Sequence, residues 1–293
     1  MGPRIRIHNW GLLAFAALCI VSQLEAQVLY THSSVYPKKY CPKGVYSGLL
    51  NDREEPQGNG TYTCKRYTYH GQWTQGKRNG VGLTEFSNGD IHAGSYYMDK
   101  FNGWGDFEWK NDRRYVGQFR DGKRDGRGEM TFPNGDKYIG DWLKGARTGH
   151  GFYTFNKSGN RYKGGYLSGQ KVGEGVFWWT SGRHAGSKYR GESLNDRRHG
   201  DNGKYYYSNG DVYIGSWQEG RQNGSGELTF SNGNKIQGQW LKGKLNGEET
   251  YFIFPNGERY KGKFENGNRI GDWVKVNPAP FDLSLLYSTK KDA

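Results

Sequence analysis

What this sequence is short of narrows the field first. Its 293 residues include only three cysteines, three methionines and eight prolines, and mean hydropathy is −0.97. Beyond residue 26 no run is apolar enough to cross a bilayer, so the remainder is read as soluble or peripheral. The seven histidines fall at unrelated places and His8 sits in the N-terminal segment, so no metal-ligand spacing emerges. No Ser-His-Asp or Cys-His arrangement is legible either. These absences argue against an enzyme, a metal site and a cofactor. Rings and glycines, by contrast, are abundant: Phe, Trp and Tyr make up 16% of the chain beside 47 glycines. Disordered chains are poor in aromatics, so rings rather than aliphatics have to build the core.

The rings are periodic. Alignment on an opening position, usually Tyr, gives starts at Tyr69, His92, Tyr115, Tyr138, Tyr162, Tyr189, Tyr213, Ile236 and Tyr260, at intervals of 23 to 27 residues. Nine short copies indicate one elongated repeat domain whose units contact their neighbours. Within a copy, positions 1, 3 and 5 (Tyr115, Gly117, Phe119) fall on one face of a strand, because side chains alternate. The glycine at position 3 is expected to admit a ring from a neighbouring strand. Position 5 is large in every copy but one, where Ser193 stands. A second strand carries an aromatic near position 18, as in Phe86, Trp109 and Phe132.

Turns are expected at "GKRNG" (76 to 80) and "SNGD" (87 to 90), since Asn-Gly is a strong hairpin signal. The recurring Gly-x-Gly runs ("GVG", "GWG", "GRG", "GHG", "GEG", "GSG") are read as turn chemistry between strands. A phosphate loop would occur once, ahead of a helix. The predicted fold is all-β: an elongated single antiparallel sheet of stacked hairpins with a short C-terminal capping helix. At two strands per copy and about 4.8 Å per strand, the ribbon would be on the order of 90 Å long.

Both ends differ from the repeats. Residues 1–26 read as a signal peptide: Arg4 and Arg6, then "GLLAFAALCIVS", then Ala26 at the cut. Cys19 lies within that segment, which leaves Cys41 and Cys64 as a pair suited to a disulfide in an oxidising compartment. Residues 27–68 form an N-terminal cap with a degenerate copy in which Tyr46, Gly48 and Leu50 echo positions 1, 3 and 5. Sequons at Asn59, Asn156 and Asn223 are glycosylation candidates. After residue 275 the tail 276–293 offers two prolines and Asp282 as a helix cap before Leu283, Leu285 and Leu286. Its "KKDA" end has the spacing of a retrieval signal that works only on membrane proteins.

The assembled signature, Tyr-x-Gly-x-Trp, then Gly-Lys-x-x-Gly-x-Gly and a closing Asn-Gly-Asp, resembles the MORN (membrane occupation and recognition nexus) repeat. "YHGQWTQGKRNGVGLTEFSNGD" (69 to 90) and "YIGSWQEGRQNGSGELTFSNG" (213 to 233) match it best, and the resemblance spans 69–275 as nine MORN repeats. It implies a sheet-like scaffold whose relatives are linked to membrane attachment or protein assembly. His92, Ile236, Ser193 and "GEE" (247 to 249) depart from the pattern.

Charge supplies the candidate binding surface. The formal net charge is +13, and cations recur at positions 9 and 10: Lys77, Arg78, Lys100, Lys123, Arg124, Arg147, Lys171, Arg197, Arg198, Arg221, Lys244 and Arg269. One rim is expected to be a basic row, diluted by Asp99, Asp121, Asp196 and Glu219. The reading is a non-enzymatic secreted scaffold for a partner protein or a polyanionic surface: acidic glycan, matrix or anionic lipid. Nucleic acid does not fit an exported chain, and pairing of rods as a homodimer is compatible with the pattern. The alternative is an intracellular scaffold on an acidic membrane or a cytoskeletal or ciliary structure.

Overall fold

A computed structural model describes residues 34–38 and 41–276. The expected signal segment, 1–26, and the expected helix after Asp282 lie outside the described residues. Every described strand belongs to one open antiparallel sheet, and the one helical element among the described residues is a 3₁₀ turn at Gly182–His184.

Each copy is a hairpin, as the ring spacing implies. In the Tyr115 copy, strand Arg114–Arg120 turns back into Lys123–Thr131, with Tyr115 opposite Met130 and Gly117 opposite Gly128. The same register recurs in Tyr67–Thr74 with Lys77–Phe86, where Gly71 faces Gly82. It also holds in Ile91–Tyr97 with Lys100–Glu108, although His92 opens that copy. The degenerate N-terminal copy folds likewise: Cys41–Leu50 pairs with Pro56–Thr63, Tyr46 facing Tyr62 and Gly48 facing Gly60.

Three local expectations need correction. The tight turn lies one step earlier than "GKRNG": Gln75 and Gly76 both take positive φ (50° and 72°), and Lys77 already begins the next strand. That geometry is the two-residue turn that matches strand twist, and it leaves Lys-Arg-Asn-Gly extended. The Gly-x-Gly runs are therefore strand rather than turn. Their first glycine, such as Gly126 at φ 99°, sits at a bulge where the register shifts between Gly117 and Phe119. Their second glycine lies under a ring: a Cβ on Gly128 would overlap the Tyr115 hydroxyl and ring carbons. In the Tyr115 copy the ring over the glycine pair comes from position 1 of the first strand rather than from another strand, whereas Gly203 and Gly262 do meet rings of a neighbouring strand, Trp217 and Trp273.

Two compact units divide the chain. The first runs to Lys157 and includes Tyr166–Gly169; the second comprises Ser158–Gly165 and the chain from Gln170. In the first, Tyr46, Tyr62, Tyr69, Trp73 and Tyr96 cluster with Cys41, which is bonded to Cys64 at a Cα separation of 6.1 Å. In the second, Tyr189, Tyr205, Tyr213, Trp217, Trp240 and Leu245 form the core.

Rings meet edge to face. Tyr115 packs on Phe119 of its own strand (5.1 Å, 88°) and on Trp142 of the next copy (5.4 Å, 82°). Each such pair contributes about 0.5–1.5 kcal/mol beyond area burial. The buried hydroxyl of Tyr115 donates to the Gln118 carbonyl at 2.9 Å, and the Trp142 indole donates to the Gly128 carbonyl at 3.3 Å. One bond closes a copy on itself; the other ties it to its predecessor. Burial raises the Tyr46 and Tyr138 phenols to about 12, so these donors keep their protons at any physiological pH.

Candidate functional site: the hairpin rim

Position 9 is the first strand residue after the tight turn and position 10 the second, so their side chains leave opposite faces of the sheet. The twelve cations expected as one row accordingly separate into two sets. Lys77, Lys100, Lys123, Arg197, Arg221 and Lys244, all at position 9, are exposed; Arg269, at position 10 of the Tyr260 copy, is also exposed but lies over the Trp273 ring at 5.8 Å. Arg78, Arg124, Arg147, Lys171 and Arg198 are half-buried and turn onto the rings.

The inward set holds copies together. Arg124 lies over Trp142 at 4.3 Å and over Tyr115 at 5.8 Å, and its Nη2 donates to the Gly145 carbonyl of the next turn at 2.7 Å. The Gly145 N–H in return donates to the Arg124 carbonyl at 2.8 Å. Arg147 repeats this clamp on Gly169 at 2.7 Å, and Arg198 on Gly220 at 2.6 Å. Arg78 does the same with Asp99, whose carbonyl and carboxylate both accept from it. Burial lowers the pKa of the Arg124 and Arg198 guanidiniums, yet guanidinium remains a cation at neutral pH. Lys171 pairs with Asp196 at 3.1 Å beneath Tyr162. A charged hydrogen bond contributes about 1.5–3 kcal/mol and a desolvated cation over a ring up to about 2.

This clamp is what reading by residue type misses. A Lys-Arg dipeptide looks like two equivalent charges, and only strand alternation counted from the true turn separates them.

The outward set is the accessible charge. In the first unit, Lys100 pairs with Asp121 at 2.8 Å, and the lysine holds that exposed carboxyl below its usual range. In the second, Arg197 pairs with Glu219 at 3.2 Å. Lys77, Lys123, Arg221 and Lys244 form no ion pair among the described residues. All four expected diluting acids thus meet a cation, two on each face. Position 6 lies directly across the turn from position 9, on the same face. Exposed apolar side chains stand there in several copies: Tyr97 (61% exposed) opposite Lys100, Leu194 (45%) opposite Arg197 and Leu241 (46%) opposite Lys244. Each unit therefore carries cations flanked by apolar groups along its tight turns. No cluster of three or more His, Cys, Asp or Glu suited to a metal occurs among the described residues.

A single sheet of hairpins, cross-tied by ring-stacked cations, defines a repeat scaffold. The family profile described as MORN repeat matches residues 69–91, 115–137, 138–159, 162–182, 189–212, 213–235 and 237–248. The chain belongs to the MORN repeat family. The His92 and Tyr260 copies fall outside the matched residues yet form the same hairpin, the latter from Arg259–Glu265 and Asn268–Val276. Among curated proteins no match is found. Among solved structures, the chain is similar to the TCP domain of Drosophila melanogaster SAS-4 (dCPAP) in complex with a proline-rich motif of Ana2 (dSTIL). That likeness has 12% identity over 55% of this chain and 84% of the other, with a TM-score of 0.35. It is also similar to a streptogramin B lyase, at 13% identity over 84% and 97% and a TM-score of 0.15. At such TM-scores neither likeness carries an argument about this chain.

Proposed function

We propose that this MORN scaffold is secreted, is not an enzyme, and docks on an anionic surface outside the cell through the tight-turn cations that each unit carries. The observation that carries the docking is the set of outward cations without an ion pair among the described residues, Lys77, Lys123, Arg221 and Lys244, held at one strand position by the turn geometry. Export is supported by the basic-then-apolar residues 1–26 and by the Cys41–Cys64 disulfide, which suits an oxidising compartment. Acidic glycan, matrix and lipid headgroups all present repeated negative charge to such a rim, and binding of this kind weakens as salt screens it.

The test uses the mature protein on heparin and on vesicles with and without phosphatidylserine. Salt-sensitive retention that is lost in a Lys77→Glu, Lys123→Glu, Arg221→Glu, Lys244→Glu variant is expected; retention on none of these surfaces removes the docking reading.

A second reading is an intracellular scaffold on acidic phospholipid. It is favoured by the apolar Tyr97, Leu194 and Leu241 beside the cations, which suit a headgroup boundary better than a soluble glycan. Replacing these three by Ser should weaken vesicle binding and spare heparin binding if lipid is the target. Mass spectrometry of the native N-terminus separates the two locations, since a chain beginning near Gln27 is an exported one.

A further inference from the structure

Three sequons occur in the repeats and cap, and their structural settings differ. Asn223 is half-buried: its Nδ2 donates to Gln218 Oε1 at 2.8 Å and its Oδ1 accepts the Lys242 N–H at 3.3 Å. Asn156 donates from Nδ2 to the Asn134 carbonyl at 3.3 Å and packs against Gly135 in the closing turn. A sugar on either nitrogen would have to displace a contact that holds a turn.

Asn59 is held differently. It sits on strand Pro56–Thr63, opposite Gln72, exposed, and its carboxamide makes no hydrogen bond among the described residues. The sequon hydroxyl, Thr61 Oγ1, is on the same face two residues on and bonds His70 Nδ1 at 2.9 Å. That face also exposes Leu49 (51%) and Val45 (46%) on the partner strand, where Gly48 pairs with Gly60 and Val45 with Thr63. Exposed aliphatics on a sheet near its first strands are an association hazard that a bulky polar group covers.

We infer that Asn59 is the N-glycosylation site of this protein, that Asn156 and Asn223 stay unmodified, and that the glycan shields the apolar face of the N-terminal cap. The inference rests on the export reading above. The donor is a polyprenyl-pyrophosphate-linked oligosaccharide of the secretory lumen. The bond from the sugar's anomeric carbon to the pyrophosphate oxygen breaks and the lipid pyrophosphate leaves with its electron pair. The anomeric carbon bonds Asn59 Nδ2, whose displaced proton passes to a base of the transferase. The product is a neutral glycosyl amide with one N–H left on the nitrogen.

The experiment expresses the full chain in a secretory cell line and maps glycopeptides in medium and lysate before and after peptide-N-glycosidase treatment. One glycan, at Asn59, is expected in the exported chain; Asn59→Gln and Thr61→Ala should each remove it, whereas Thr61→Ser should retain it. The Asn59→Gln protein should also show more self-association by light scattering. A parallel arm places a heterologous signal sequence ahead of Gln27, so that the lumen is reached whatever residues 1–26 do. If the native chain stays inside but this fusion carries the Asn59 glycan, the export reading fails and the site stands. A fusion in the medium with Asn59 bare, or with Asn156 or Asn223 equally occupied, overturns the inference.

Discussion

The Tyr115 and His92 copies fold to one register from different chemistry. In the Tyr115 copy the phenol donates to a carbonyl three residues on, and Arg124 at position 10 lies over the rings and clamps the next turn. In the His92 copy position 10 is Phe101, and the imidazole stacks on it at 3.8 Å. His92 Nδ1 meets the Tyr96 hydroxyl at 2.9 Å, which in turn meets Thr84 Oγ1 at 2.7 Å, while Nε2 has no hydrogen-bond partner among the described residues. In these two copies position 1 thus holds a flat ring over paired glycines. The hydroxyl and the guanidinium are one way of locking it; a stacked imidazole is another, with a titratable nitrogen sealed inside.

Acid should separate the two copies most. Burial, with the Arg78 guanidinium nearby, drives the His92 pKa from 6.5 to about 3. Below pH 6.5 the unfolded chain takes up this proton and the folded one does not, so stability is full above that pH and declines as pH falls toward 3. The loss between pH 7 and pH 4 should be about 3 kcal/mol. His92→Tyr, which restores the repeat residue, should flatten that slope in urea titrations at the two pH values; an unchanged slope would show that His92 is not the group responsible.

Glycine substitutions sharpen the contrast next. Gly128→Ala drives a methyl into the Tyr115 ring and hydroxyl and should cost about 2 kcal/mol. Gly105→Ala meets the far end of the shorter imidazole, with His92 Nε2 at 2.6 Å, and should cost less, about 1 kcal/mol. Equal losses in urea unfolding would mean that ring length does not set the tolerance.

Removing the clamp should be milder. Arg124→Met keeps the stem over Trp142 but loses the bond to Gly145 and should cost about 1.5 kcal/mol. The adjacent Lys123→Gln, on the exposed face, should change stability by less than about 0.5 kcal/mol. Near-equal effects of the two in thermal melts would contradict the division between inward and outward cations.

Much of this was legible in the chain. Tyr at position 1 and glycine at 3 mark the ring face because strand side chains alternate, and Tyr46 with Gly48 revealed even the degenerate copy. The cysteine pair fell where the cap closes. The turn was misplaced because Asn79-Gly80 carries a stronger hairpin signature than Gln75-Gly76, and a non-glycine residue at positive φ such as Gln75 leaves no compositional trace. Once the turn is displaced, the parity of positions 9 and 10 is lost, and with it the distinction between Arg78 and Lys77.

Periodicity belongs to local sequence: a hairpin that cannot bury its own rings needs copies of itself, so the family, the sheet and the ring face follow from spacing alone. Which charge is structural and which is free depends on where the backbone reverses and on what the neighbouring hairpin offers to a guanidinium. Those are contacts between residues about twenty positions apart, such as Arg124 with Gly145, and they come into being only when consecutive copies stack.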